Sequence, residues 1–267
     1  MFLSKGYSQL SLFKEEPALS LRSDYTAVIV NYSTGIDSTG TLYWAIKNFD
    51  RNQIWLIYCD TGLEYDINDS LLYKTAQILG IKPVILRHEK GFLGILEHRG
   101  KWPDSKNRWC TSYLKRDITD KWIRANRHLL GERLLFLTGE RRDESPRRSK
   151  LPELEIHQTT LKTDRKGKFL AHWHRPVLDY EKGQMFEWGK QLRLDPHPCY
   201  EYLGRCSCIA CIFMPDRYAV ENMKRYPEKF RALIQAELKH SHTWKNGVSL
   251  TELWNVTCED NPPNLVV

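Results

Sequence analysis

The chain has 267 residues, 41% of them hydrophobic and 27% charged, the make-up of a globular protein large enough for one sizeable core and a smaller appended lobe. No apolar run is long enough to span a bilayer as a helix and the N-terminus lacks an apolar signal core, so a cytoplasmic protein is expected. The net charge of +7 favours a polyanionic partner, because neutralisation of phosphates by Lys and Arg dominates nucleic-acid affinity.

Residues 26–32 read as a strand and feed the stretch STGIDSTG at 33–40, which opens a helix-like segment. The spacing from Gly35 to Gly40 is that of a Walker A loop, but Thr41 stands where the lysine belongs. Further strands are expected at 54–59, 83–86 and 134–137, with helical spacing of apolar residues at 71–79 and 114–129. This alternation predicts an α/β fold, a parallel Rossmann-like sheet with helices on both faces, with ligand groups beyond the carboxyl ends of the strands. Residues 139–168 are dominated by charge, and an aromatic, cysteine-rich tail follows, with a proline-opened helix at 227–239. Two parts are therefore expected, a nucleotide-type α/β domain over 1–170 and a helical, cysteine-rich extension over 171–267, packed as one unit.

Three segments carry anion chemistry. A helix N-terminus offers free backbone N–H groups, Gly35 lets an anion approach them, Ser33 and Ser38 add hydroxyls, and Asp37 is a metal ligand or a cap. A capped helix after a buried strand would use the same residue types. At the second strand end, Asp60, Thr61, Gly62 and Glu64 supply another tight turn and two carboxylates, which would complete a nucleotide crevice if the strands are neighbours. The third is Gly139-Glu140-Arg141-Arg142-Asp143-Glu144-Ser145, followed by Arg147 and Arg148, whose planar forks suit phosphate.

The seven cysteines form a second constellation. Cys208 and Cys211 make a C-x-x-C, with Cys206 and Cys199 upstream, and Cys110 stands far away in Arg108-Trp109-Cys110-Thr111, before Lys115. Such spacings hold iron–sulfur clusters, zinc or a redox disulfide. Zinc could draw on His197 or His240.

Together the three anion segments resemble the PP-loop ATP pyrophosphatases in their phosphoadenosine-phosphosulfate reductase-like branch. The family's S-G-G-x-D-S loop matches 33–38 with Thr34 for its first glycine, its D-T-G-x-E matches 60–64, and its G-x-R-x-x-E-S matches 139–145. The resemblance implies an adenine nucleotide alpha hydrolase-like fold that binds the pyrophosphate portion of ATP while a substrate oxygen attacks the α-phosphate, so no Walker lysine is needed. It implies Mg2+ near Asp37, ATP held by Ser33, Thr34, Gly35, Asp37, Ser38, Asp60, Thr61, Gly62, Glu64, Gly139 and Arg141, and catalytic roles for Asp37, Ser38, Arg141 and Arg142. Arg142, Glu144, Ser145, Arg147 and Arg148 would bind substrate phosphate. Cluster-bearing members resemble this chain at Cys110, Cys208 and Cys211, which implies a [4Fe-4S] cluster with Cys206 or Cys199 as fourth ligand, or one iron left open.

Sulfonucleotide reductases of the family carry an E-C-G-x-H tail, whereas the distal Cys258 lies in Thr257-Cys258-Glu259-Asp260. The chain is more similar to the reductase-like proteins of DNA phosphorothioation systems of the Dnd and Ssp type. That resemblance implies DNA as substrate, a cysteine desulfurase as sulfur donor and other phosphorothioation-system subunits as partners. A tRNA thiolation enzyme would use the same parts, and a nucleic-acid-binding redox module without catalysis is a third reading. Among other residues, Cys59 reads as a packed thiol, 172–175 as an amphipathic strand or a substrate contact, and the basic run 162–168 as a phosphate-tracking or solubilising loop.

Overall fold

The apolar run Ala27–Asn31 (β1) sends Val28 and Val30 to one side and Ala27 and Ile29 to the other, and both sides are buried. The same alternation recurs in Ile54–Asp60 (β2) and Arg133–Leu137 (β4), as a parallel sheet covered on both faces requires. The computed structural model describes residues 24–163 and 169–257. Residues 164–168 of the basic run 162–168, and Cys258, lie outside the described residues.

The sheet is completed by Lys82–Arg87 (β3), Leu154–Ile156 (β5) and Leu170–His174 (β6) in the order β3-β2-β1-β4-β6-β5. Every pairing is parallel except β5 with β6. The sequence already marked β1 to β4. The short edge strand β5 carries only exposed residues and so has no burial pattern to betray it. Since β6 pairs with β4, the sheet runs past residue 170, and the two expected parts share this strand.

Helices Ile36–Asn48 (α1) and Asn68–Leu79 (α2) cover one face through Leu42, Ala45, Leu72 and Ala76. Gly91–Arg99 (α3) turns its Phe92 onto Trp102 and Trp109 in a separate core. The expected helix at 114–129 is instead Trp109–Thr111 (α4), a π-helical stretch Ser112–Asp117, Ile118–Ala125 (α5) and Arg127–Leu130 (α6), with Asn126 at the break. Ile123 and Leu130 of these seal the second face. Gln158–Thr163 (α7) precedes β6, and Lys182–Gln191 (α8) packs on α1, where Gly40 leaves room for Met185. A Cβ on Gly40 would lie 2.1 Å from Met185 Sδ, so the glycine is what lets the helices touch.

The extension folds as Asp216–Arg225 (α9), Pro227–His240 (α10) and Leu250–Thr257 (α11) around a core with Trp244 and Trp254. Buried Glu237 accepts hydrogen bonds from the Trp244, Leu250 and Thr251 N–H groups, tying α10 to the start of α11. The same core receives Cys110, Cys206, Cys208 and Cys211. None of the described helices is long and apolar enough to cross a membrane.

Candidate active site

The strand order reverses between β1, which leads to β2 on one side, and β4 on the other, and open α/β sheets hold ligands at such a switch point. A cleft opens there, lined by Ser33, Gly35, Asp37 and Ser38 from the end of β1 and by Thr138, Gly139, Glu140, Glu144 and Arg148 from beyond β4. A Cβ on Gly139 would meet the Asp37 carbonyl carbon and oxygen at 2.6 Å, so this glycine lets the two loops close on each other.

The first loop is held from within. Ser38 Oγ donates to the Gly35 carbonyl at 2.7 Å and accepts from the Ser33 N–H at 3.1 Å, so its hydroxyl shapes the turn. Thr34 occupies the left-handed region at φ 61°, where a β-branched side chain is strained by about 1–2 kcal/mol. Its buried hydroxyl is satisfied by the Ser33 carbonyl at 2.6 Å and lies 3.2 Å from Asn68 Oδ1. Asn68 also donates to Tyr58 Oη at 3.0 Å and accepts from His197 Nε2 at 2.8 Å.

Arg141 is buried and turns to Asp37, its Nε donating to Oδ1 at 2.7 Å and its Nη1 to Asp143 at 2.5 Å. Burial raises the Asp37 pKa and Arg141 works against that rise. Arg141 therefore orients the loop carboxylate. Arg142 faces away from the cleft, bonded to Asp179 and to the carbonyls of Ser149 and Leu151. Arg148 pairs with Glu144 at the cleft wall, and Ser145 Oγ accepts from the Arg148 N–H at 3.2 Å. Arg147 is exposed.

At the end of β2, Asp60 accepts from the Gly62 N–H at 2.9 Å and from Arg87 Nε at 2.9 Å, while Thr61 Oγ1 donates to Glu64 Oε1 at 3.1 Å. Gly62 has φ 85°, which the turn demands. A second hollow opens here, lined by Tyr58, Asp60, Gly62, Glu64 and Lys229 among others. Glu64 is buried and its Oε1 also meets Lys115 Nζ at 3.3 Å and the Cys208 thiol at 3.3 Å. Burial opposes the Lys115 ammonium, but Cys208 and Glu64 outweigh it and hold the lysine pKa well above its ordinary value. Lys115 Nζ reaches Cys208 Sγ at 3.9 Å, and the Ile209 N–H donates to the Leu63 carbonyl at 2.8 Å. The nucleotide-type motif and the C-x-x-C are thus joined by side chain and backbone.

The thiols fall into two groups. Cys110, Cys208 and Cys211 share one another's electrostatic field, and burial is the first cause that raises the Cys110 and Cys208 pKa values. Cys199, Cys206 and His197 form the other, their ligand atoms within 4.8 Å of one another. The Cys206 thiol lowers the Cys199 pKa to about 6, with His197 assisting. His240 stands apart, paired with Glu97 at 3.1 Å, and Cys59 is buried with its thiol on Thr119.

One wall of the cleft lacks any sequence signal. Tyr200 and Arg205 reach it from the cysteine-rich segment, and Tyr200 Oη accepts the Ile36 N–H, the first of α1, at 3.2 Å. Burial raises the Tyr200 pKa, so the phenol stays protonated with its own O–H to donate. Only the adjacency of HPCY to the cysteines hinted that this segment matters.

Fold and cleft place the chain among nucleotide-binding α/β domains. Residues 27–213 match the phosphoadenosine phosphosulfate reductase domain, and the chain belongs to that family. It is 28% identical over 148 residues, 55% of its own length, to an uncharacterized 37.8 kDa protein of Escherichia phage 186, and the match spans 42% of that relative. Among solved structures, it is similar to a phosphoadenylyl-sulfate reductase from Candida auris in phosphate complex, at 16% identity over 67% of this chain and 79% of that one, TM-score 0.43. It is also similar to an NH3-dependent NAD synthetase from Campylobacter jejuni, 11% identical over 78% of each chain, TM-score 0.44. The U34-tRNA thiolase NcsA from Methanococcus maripaludis, solved with its [4Fe-4S] cluster, is 16% identical over 80% of this chain and 72% of that one, TM-score 0.43.

Proposed function

We propose that the protein is an ATP pyrophosphatase that adenylylates a DNA backbone phosphate so that sulfur can replace a nonbridging oxygen. The observation that carries this reading is the Glu64–Cys208 contact of 3.3 Å, bridged by Lys115, which sets thiol chemistry beside the nucleotide motif. In the reaction, a substrate phosphate oxygen attacks the α-phosphorus of ATP, the α–β bridging P–O bond breaks, and pyrophosphate leaves. The N–H groups at the start of α1, with Ser33, Arg148 and Arg205, line the place where that pyrophosphate is held. A sulfur nucleophile, supplied through a cysteine desulfurase, then displaces AMP.

Arg141 takes Asp37 Oδ1, and the carboxylate of Asp37, which faces the cleft, would hold a magnesium ion that offsets phosphate charge. Cys110, Cys208 and Cys211 suit a [4Fe-4S] cluster by donor chemistry, three mutually influencing thiols with Lys115 favouring the thiolate of Cys208. Such a cluster, when bound, supplies an iron able to hold sulfide. Cys199 and Cys206 group with His197 instead. The charge of +7 and exposed Arg147 suit a DNA partner, with other phosphorothioation subunits to present it.

Two measurements test this. Pyrophosphate release from ATP should depend on DNA and be lost in Asp37→Ala. Mass spectrometry of nuclease-digested DNA should show a sulfur-containing dinucleotide only in cells that hold the protein; its persistence without the protein overturns the DNA assignment, and thiolated tRNA nucleosides that vanish instead would move the acceptor to RNA.

A further inference from the structure

We propose that Cys199 and Cys206 form a dithiol/disulfide couple in the wall of the phosphate cleft, a thiol-exchange site separate from Cys110, Cys208 and Cys211, whose oxidising co-substrate is a low-molecular-weight disulfide.

The first support is convergence. The two sulfurs lie within 4.8 Å of each other although seven positions separate the residues. The chain folds back between them through the short 3-10 turn Pro198–Glu201, closed by the Leu203 N–H to the Cys199 carbonyl at 2.7 Å. The second is what His197 does with its ring. Nδ1 accepts the Cys199 N–H at 3.0 Å and Nε2 donates to Asn68 Oδ1 at 2.8 Å, so both nitrogens are engaged and neither has a lone pair to give a metal. Two thiols alone fall short of the four ligands of a closed zinc site. The group is therefore a dithiol with a buried, hydrogen-bonded histidine beside it.

The third is asymmetry of access. Cys199 is 1% exposed, whereas Cys206 lines the cleft and a Cβ on Gly35 would lie 3.4 Å from the Cys206 Cβ. Exchange needs an outer thiol that meets the incoming disulfide and an inner one that resolves the product. Cys206 passes its thiol proton to the Cys199 sulfur it is hydrogen-bonded to as it attacks R–S–S–R; its sulfur bonds to one RS group, and the other leaves as RS−. Cys199 then loses that proton to the departing RS− and attacks Cys206 Sγ, forming the intramolecular disulfide and expelling the second RS−, which takes a proton from solvent. The pair loses two electrons and two protons, and the small disulfide becomes two thiols. Closure shortens the Cys199–Cys206 separation to a covalent bond, and so alters the wall that Cys206 shares with Tyr200 and Arg205.

The test treats the full-length protein with oxidised glutathione, then applies differential alkylation and peptide mass mapping. The expected product is one disulfide joining residues 199 and 206, reversed by dithiothreitol and retained when Cys110, Cys208 and Cys211 are all serine. Cys199→Ser should instead trap glutathione on Cys206, and inorganic pyrophosphate should slow that modification at least tenfold. A disulfide that maps to Cys208–Cys211, a wild-type Cys206 mixed disulfide that never resolves, or release of one zinc per chain on oxidation would each overturn the couple. Failure of pyrophosphate to protect would overturn its place in the cleft. The disulfide forms without ATP, so these outcomes are independent of whether ATP is cleaved.

Discussion

Asn68, at the start of α2, accepts a hydrogen bond from His197 at 2.8 Å, and this contact joins α2 to the cysteine-rich segment. The same Oδ1 lies 3.2 Å from the Thr34 hydroxyl, and Asn68 Nδ2 holds Tyr58. Asn68→Ala leaves the His197 Nε2–H and the Tyr58 hydroxyl buried without this partner. At about 1–3 kcal/mol for each such group, denaturant unfolding should show a loss of roughly 3 kcal/mol; a change under about 1 kcal/mol would show that the junction is not built this way.

The Arg141–Asp37 pair predicts a non-additive response. Removing one member of a buried pair costs about 3–5 kcal/mol, discounted here because the Asp37 side chain is 27% exposed. Arg141→Met should destabilise by about 2–3 kcal/mol and lower ATP turnover by at least tenfold. Asp37→Asn added to it should cost far less than the two singles combined, and full additivity in a double-mutant cycle would contradict the clamp.

Gly139→Ala tests the approach of the β4 loop to the first turn. The new methyl meets the Asp37 carbonyl group at 2.6 Å and Ser38 N at 2.9 Å, all backbone that cannot swing aside. A cost of about 1–3 kcal/mol is expected, with ATP affinity reduced at least tenfold by equilibrium binding. Unchanged affinity would mean that the two loops need not touch to hold nucleotide.

Thr34 separates backbone strain from hydroxyl bonding. Thr34→Gly relieves the left-handed conformation but forfeits the bond to the Ser33 carbonyl, so its stability should stay within about 1 kcal/mol of wild type. Thr34→Val keeps the strain and loses the bond, and should unfold about 2 kcal/mol more easily. Equal stability of the two variants in parallel melts would remove the hydroxyl from the account.

His174 predicts the acid limb of stability. Burial lowers its pKa from 6.5 to about 4, and its Nε2 has no hydrogen-bond partner among the described residues. Between those values the unfolded chain binds a proton that the folded chain refuses, so stability present above pH 6.5 is lost as pH falls toward 4. The loss should approach about 3 kcal/mol, and His174→Phe should flatten it. A variant with the same acid slope as wild type would assign that slope to other groups.

Much of the fold was legible in the linear pattern, for a physical reason. Strands β1, β2 and β4 are buried on both faces and read as unbroken apolar runs, and α2 and α10 carry their apolar residues at helical spacing. Glycines at 62 and 139 were legible too, because a positive φ and a close backbone approach leave a residue-type signature. β5 was invisible because it buries nothing.

The roles of individual side chains depended on distances that spacing does not encode. Arg141 and Arg142 are neighbours in sequence, yet one clamps Asp37 and the other faces Asp179, since successive residues of an extended turn point apart. Tyr200 and Arg205 enter a cleft whose other walls come from the loops after β1 and β4, more than fifty positions away, and sequence spacing does not encode that approach. The cysteines split into two groups for the same reason: a C-x-x-C advertises a local turn, while the partner each thiol meets is set by how α9 to α11 pack the extension against the end of the sheet. Local chemistry and apolar periodicity are written along the chain, and the convergence of distant groups arises only when the core closes.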